Sequence, residues 1–249
     1  MEEPLLSEQG PPAFQWGHAD LIAFAAFFIG VLVVLPGGVF LVLRLFRPGL
    51  QIADLSGVEQ ILIQAFMDLV LVGFILFLIK VLHQQPLLKS LHWHNREKVP
   101  VMSLISAGAF LALTVLIVST VFPSPTDSPL EKLLTTTESI VVFVIFGIIV
   151  APLLEEIIFR GFLYTLLADV YSPGVAVPIT ALLFAGLHLS QLRGNWPAVF
   201  LILSVGYVLT MVRKRSNSLI PSVIMHTSYN SMIFGISALS TLFEHGKVS

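Results

Sequence analysis

The sequence contains no cysteine among its 249 residues. Disulfide scaffolds, thiolate nucleophiles, Cys-bound zinc and iron–sulfur clusters are therefore excluded. Charge is scarce as well. Asp, Glu, Lys and Arg make up 11% of the chain, where an ordinary soluble domain carries roughly 25%. The net charge is −2, and no basic run exceeds Arg213-Lys214-Arg215, so nucleic acid is excluded as a partner. His-Glu-x-x-His, the ordinary zinc-protease motif, does not occur. Nor is there an internal repeat or a low-complexity tract. What fills the chain instead is apolar: 56% of residues are hydrophobic and the mean hydropathy is +0.92. A soluble domain of this size could not hide so much apolar surface. The composition implies an all-α, polytopic transmembrane helix bundle, an integral multi-pass membrane protein forming one integrated domain and surrounded by lipid.

A membrane-spanning helix needs about 20 mostly apolar residues. Residues 1–20 hold Glu2, Glu3, Glu8, Pro11 and Pro12 but no Lys or Arg, which predicts a polar N-terminal tail rather than a signal peptide. Seven spans are expected within a range of six to eight, at about 21–43, 61–82, 101–122, 139–167, 173–189, 196–212 and 218–242. Pro36-Gly37-Gly38 should kink the first. Ser128, Pro129 and Glu131 have the pattern of a helix start, and Leu130, Leu133, Leu134 and Thr137 follow at helical spacing. A short amphipathic helix at the membrane surface is expected there. The chain thus divides into the tail, N-terminal membrane helices over 21–127 and C-terminal membrane helices over 128–249. Seven spans gather Lys80, Lys89, Arg96, Lys98 and the 213–215 run on one side. Arg44, Arg47, Lys132, Arg193 and Lys247 fall on the other. This bias favours the first side, with the N-terminus, as cytoplasmic, and gives the 213–215 run the job of setting topology against anionic lipid.

Charge inside a spanning helix costs roughly 2.5–3.5 kcal/mol on insertion scales, and the fourth span concentrates it. Glu155-Glu156-Ile-Ile-Phe-Arg160 puts three charges within six residues. Glu156 and Arg160 stand four apart in the favourable order for a helical ion pair. Glu155 points about 100° away from Glu156 and has no such partner, which leaves it free for chemistry. The fifth span carries Phe184-x-x-x-His188 and the seventh His226-x-x-x-Asn230, each pair sharing a helix face. At 1.5 Å per residue, Glu155, His188 and His226 all fall in the middle zone of a ~30 Å hydrocarbon core. One carboxylate, two imidazoles and an amide at one depth permit hydrolysis. Glu155 could take a proton from water, with His188 as second base or water-orienting group. His226 and Asn230 could donate to an oxyanion. The alternative is a zinc ion held by Glu155, His188 and His226. Asp68, alone in the second span, reads first as a structural polar residue, and Phe184 as packing beside the site.

Together, Glu155-Glu156-x-x-x-Arg160, Phe184-x-x-x-His188 and His226-x-x-x-Asn230 resemble the three motifs of the CPBP intramembrane proteases. That family includes the type II CAAX prenyl endopeptidases and bacterial proteins linked to bacteriocin self-immunity. The resemblance covers about residues 139–242, with Phe159-Arg160-Gly161-Phe162 following the glutamate pair. It implies a membrane-embedded endopeptidase acting without a cofactor on a prenylated CAAX-type or other membrane-associated peptide. Glu155 would be the base, His188 its partner, and His226 with Asn230 the oxyanion stabilisers. Glu156 and Arg160 would support them. Two other functions fit buried Glu and His: a proton-coupled transporter and a non-catalytic membrane scaffold or immunity protein. The missing repeat speaks against the transporter.

Overall fold

The computed structural model describes residues 14–94, 99–122, 136–192 and 195–245. Among them every regular element is helical. Five helices or helix pairs are long and apolar enough to cross a membrane: His18–Phe46, Gly57–Leu82, Val101–Val121, Thr137–Val170 and Trp196–Ser216. The protein is an integral, multi-pass membrane protein.

The first span is broken where proline and glycine predict. Helix α1 (His18–Val33) ends at Val34 and α2 (Leu35–Phe46) restarts with Pro36 in its first turn. There the missing proline N–H costs nothing. The polar tail ends earlier than residue 20. Trp16 is buried and its N–H donates to Asp169 at 3.1 Å, while Asp20 meets His83 at 2.6 Å. Helix α3 (Gly57–Leu82) starts at a capping box, in which Ser56 accepts from the Glu59 N–H and Glu59 accepts from the Ser56 N–H. Helices α4 (Val101–Val121) and α5 (Thr137–Val170) follow. The amphipathic helix expected from Ser128 lies outside the described residues.

Two elements expected to span do not meet the length and hydropathy of the other five. Helix α6 (Pro173–Leu187) is short. Helix α8 (Ile220–His245) has the length but is crowded with polar side chains, from Ser222 through His226 and Asn230 to Ser237. Between them runs α7 (Trp196–Ser216). Helix α5 is the centre of the bundle and touches α1, α3, α6 and α8. A large apolar core joins α1, α3, α5 and α6 through Phe24, Ile75, Ile79, Phe162, Leu166 and Val177. A smaller one joins α4, α7 and α8 through Ala112, Leu209 and Met225. Glycine sets the closest approach. A methyl group at Gly108 of α4 would collide with the Met225 carbonyl of α8, and one at Gly206 of α7 would sit 3.0 Å from the Phe184 ring of α6.

Among the described residues three stretches are wound as π-helix: Phe77–Leu82 in α3, and Phe146–Val150 and Glu156–Leu163 in α5. Their last N–H groups reach back five residues, from His83 to Leu78, Ala151 to Phe146 and Tyr164 to Phe159. Each stretch leaves one carbonyl without a helical donor: Ile79 because the helix ends there, Gly147 because Pro152, five residues on, has no N–H, and Arg160 because the winding tightens again after Tyr164. A buried carbonyl without a donor is costly, and all three find one. Gln85 N–H donates to Ile79 at 2.8 Å, Asn230 Nδ2 to Gly147 at 2.8 Å, and Arg213 Nε to Arg160 at 3.1 Å.

Candidate active site

The site forms where the second π stretch of α5 meets α6, α7 and α8. Glu156 and Arg160 are fully buried and pair at 2.9 Å, as their spacing predicts. Removing two charges from water is tolerable only when their remaining hydrogen-bonding capacity is met. Arg160 therefore spreads its donors. Nη1 goes to Glu156, Nη2 to the Gly206 carbonyl at 3.2 Å and Nε to Thr210 Oγ1 at 3.3 Å. Its guanidinium also lies 4.4 Å from the Phe184 ring centroid, a cation–π contact strengthened by burial.

His226, buried on α8, joins the two glutamates. Its Nδ1 donates to Glu156 Oε1 at 2.9 Å, and its Nε2 faces Glu155 Oε2 at 3.6 Å. A carboxylate can only accept, so the bond to Glu156 fixes a proton on Nδ1. The 3.6 Å separation exceeds hydrogen-bond length. Glu155 keeps 22% of its side chain exposed, against none for Glu156. Adjacent glutamates thus have different environments, one locked in the core and one facing open space.

His188 ends α6. Its Nδ1 donates to the Phe184 carbonyl at 2.8 Å, which leaves Nε2 as an acceptor. Its ring lies 4.8 Å from that of Phe184, whose centroid is 6.0 Å from the His226 ring. Phe184 is thus a shared wall for both histidines and for Arg160, beyond the packing role its sequence context suggests. Asn230 Nδ2 is engaged with Gly147, so at most its second amide hydrogen is free for an oxyanion. Asp68 is buried and accepts from Gln64 Nε2 at 2.9 Å.

Among the described residues no group of three or more His, Cys, Asp or Glu could hold a metal ion. Each imidazole has its Nδ1 hydrogen-bonded and its Nε2 open, but Glu155, His188 and His226 are not among any such group.

Sequence reasoning missed Arg213. It is not a solvated topology determinant but is 1% exposed. It donates to the Arg160 carbonyl and to Thr165 Oγ1 at 3.2 Å, and lies over the Tyr164 ring. Lys214 and Arg215 are exposed as expected. Removing Arg213 from the charge tally leaves the two sides nearly even. Thr165, Gly206 and Thr210 were missed too, because small polar residues in a membrane helix carry no signal of their partners.

Residues 137–232 match the family model described as type II CAAX prenyl endopeptidase Rce1-like. A curated relative, UPF0177 protein YxdF of Lactococcus lactis subsp. lactis (strain IL1403), is 37% identical over 99 residues. These are 39% of this chain and 50% of that protein, so the chain spans about half the length of the curated relative it matches. No solved structure matches the chain. The matched segment runs from the first turn of α5 into α8 and holds the glutamate pair, Arg160, Phe184, both histidines and Asn230; over these residues, less than half of its length, the chain is similar to the Rce1-like type II CAAX prenyl endopeptidases.

Proposed function

We propose that the protein is an intramembrane endopeptidase in which Glu155 activates water. The observation that carries this reading is the unequal treatment of the two adjacent glutamates. Glu156 is neutralised by Arg160 and His226, while Glu155 stays partly exposed, with the Nε2 edge of His226 at 3.6 Å and Asp68 close enough to interact electrostatically. In the reaction Glu155 accepts a proton from water, and the hydroxide attacks the scissile carbonyl carbon. His188 Nε2, an acceptor, orients that water. The negative charge that develops on the carbonyl oxygen receives a hydrogen bond from protonated His226 Nε2 and one from the remaining N–H of Asn230. Glu155 then returns its proton to the leaving amine. Glu156 holds the imidazole in register and Arg160 holds Glu156.

The substrate class is a membrane-associated peptide cut near its C-terminus, with a prenylated CAAX peptide as the first to test. A quenched-fluorescent farnesylated CAAX peptide is offered to wild type and Glu155→Gln in the same detergent. Cleavage by wild type with a loss of about 10²–10⁴-fold in the variant is expected. Equal cleavage by both would remove Glu155 from the mechanism. Failure of both to cleave, with peptide still bound, would favour the membrane-scaffold reading.

A further inference from the structure

Arg213 is a buried cation that makes no ion pair among the described residues. Its donors go instead to a backbone carbonyl, Arg160 O, and to Thr165 Oγ1. Thr165 in turn donates to Gly161 O at 2.9 Å. The carbonyl that it holds is the one skipped where the π stretch Glu156–Leu163 returns to α-helical winding, because Tyr164 N–H has bonded Phe159. The same residue's side chain grips Glu156, and Glu156 grips His226. An unbroken run of contacts therefore leads from Arg213 through Arg160 and Glu156 to the imidazole that faces Glu155. Without a donor at Arg160 O, the stretch could recover its bonding by rewinding as α-helix, which would turn Glu155 and Glu156 relative to His226.

We infer that Arg213 is a positioning residue, clamping the π turn of α5 through the Arg160 carbonyl so that both glutamates meet one histidine. An arginine suits the task because its planar fork reaches the carbonyl and the Thr165 hydroxyl together while its guanidinium carbon lies over the Tyr164 ring, 5.2 Å from its centroid. A lysine in its place has one donor group and no plane. The catalytic consequence rests on the proposed hydrolytic role of Glu155, but the geometric consequence does not.

The test compares Arg213→Ala, Arg213→Lys and Thr165→Val with the exposed neighbour Lys214→Ala, all in the full chain. Two readouts are taken: kcat and KM on the farnesylated peptide, and the ¹⁵N resonances of the His226 ring, assigned by their absence in His226→Asn. Arg213→Ala should lower kcat about tenfold or more while KM stays within about twofold, and should displace both ring resonances. Arg213→Lys should recover part of each change, Thr165→Val should give a smaller version, and Lys214→Ala should give none. If Arg213→Ala does not fold, Arg213→Lys and Thr165→Val carry the comparison. Unmoved His226 resonances in folded variants would overturn the inference, as would equal effects from Lys214→Ala. If instead Glu155→Gln remains active, the hydrolytic reading falls while the resonance shifts still decide the role of Arg213.

Discussion

The two ends of the bundle handle polarity in opposite ways. Helices α1 to α4 bury few polar side chains, Asp20 and Asp68 among them, and turn residues such as Ile22, Leu45, Leu69 and Phe110 outward. Helices α5 to α8 bury Glu156, Arg160, Thr210, Arg213, Ser222, His226 and Asn230. Even their ion pairs differ. Arg47–Glu59 is bare to its surroundings, with 44% and 30% of the side chains exposed. Glu156–Arg160 is sealed. The first half is held in the membrane by its outer surface, the second by an internal network in which each group is the condition for burying the next.

That contrast predicts a steep gradient of mutational cost, read as thermal unfolding of the full chain in one detergent. Glu156→Ala comes first, because it strands a buried guanidinium and frees His226. Breaking such a pair costs about 3–5 kcal/mol, and a shift no larger than that of a surface variant would dissolve the distinction. Gly108→Ala should cost about 1–3 kcal/mol through the collision between α4 and α8. Asn230→Ala removes the donor to the Gly147 carbonyl and should cost about 1–3 kcal/mol, together with activity. Arg47→Ala, which breaks the open pair and leaves the Ser56–Glu59 capping box intact, should cost about 0–1 kcal/mol.

The loop before α4 sharpens the comparison by pH. Burial, and then the positive charge of Arg213, push His92 down to about 4 from its ordinary 6.5. The unfolded chain then binds more protons than the folded one across that interval. Stability should fall as pH drops from about 6.5 towards 4 and level off below. Denaturation midpoints across that range should show the slope in wild type and a weaker one in His92→Asn; equal slopes would break the link.

What was legible in the sequence follows the same division. Helices facing lipid announce themselves by hydropathy, so α1 to α5 and α7 fall close to their expected bounds, and Pro36 marks the break in the first span. The helices that carry His188, His226 and Asn230 are poor matches to that criterion, since one is short and the other polar. Their residues were found by motif spacing instead. Glu156–Arg160 was readable because both partners lie on one helix. The bridge from His226 to the glutamates was not, since its geometry crosses seventy residues. Arg213 stayed hidden because it sits in a basic run at a helix end, where hydropathy sees only topology. The π stretches left no sequence signal.

The shortness of α6 has a consequence for the lipid around it. Fifteen residues rise only about 22 Å, against a hydrocarbon core of ~30 Å. Local thinning of the bilayer where α6 stops is one way to meet such a mismatch. Thinning there would draw aqueous headgroup towards His188, and the thickness of the host membrane, set by acyl-chain length, would then be a control on how readily water enters the protein.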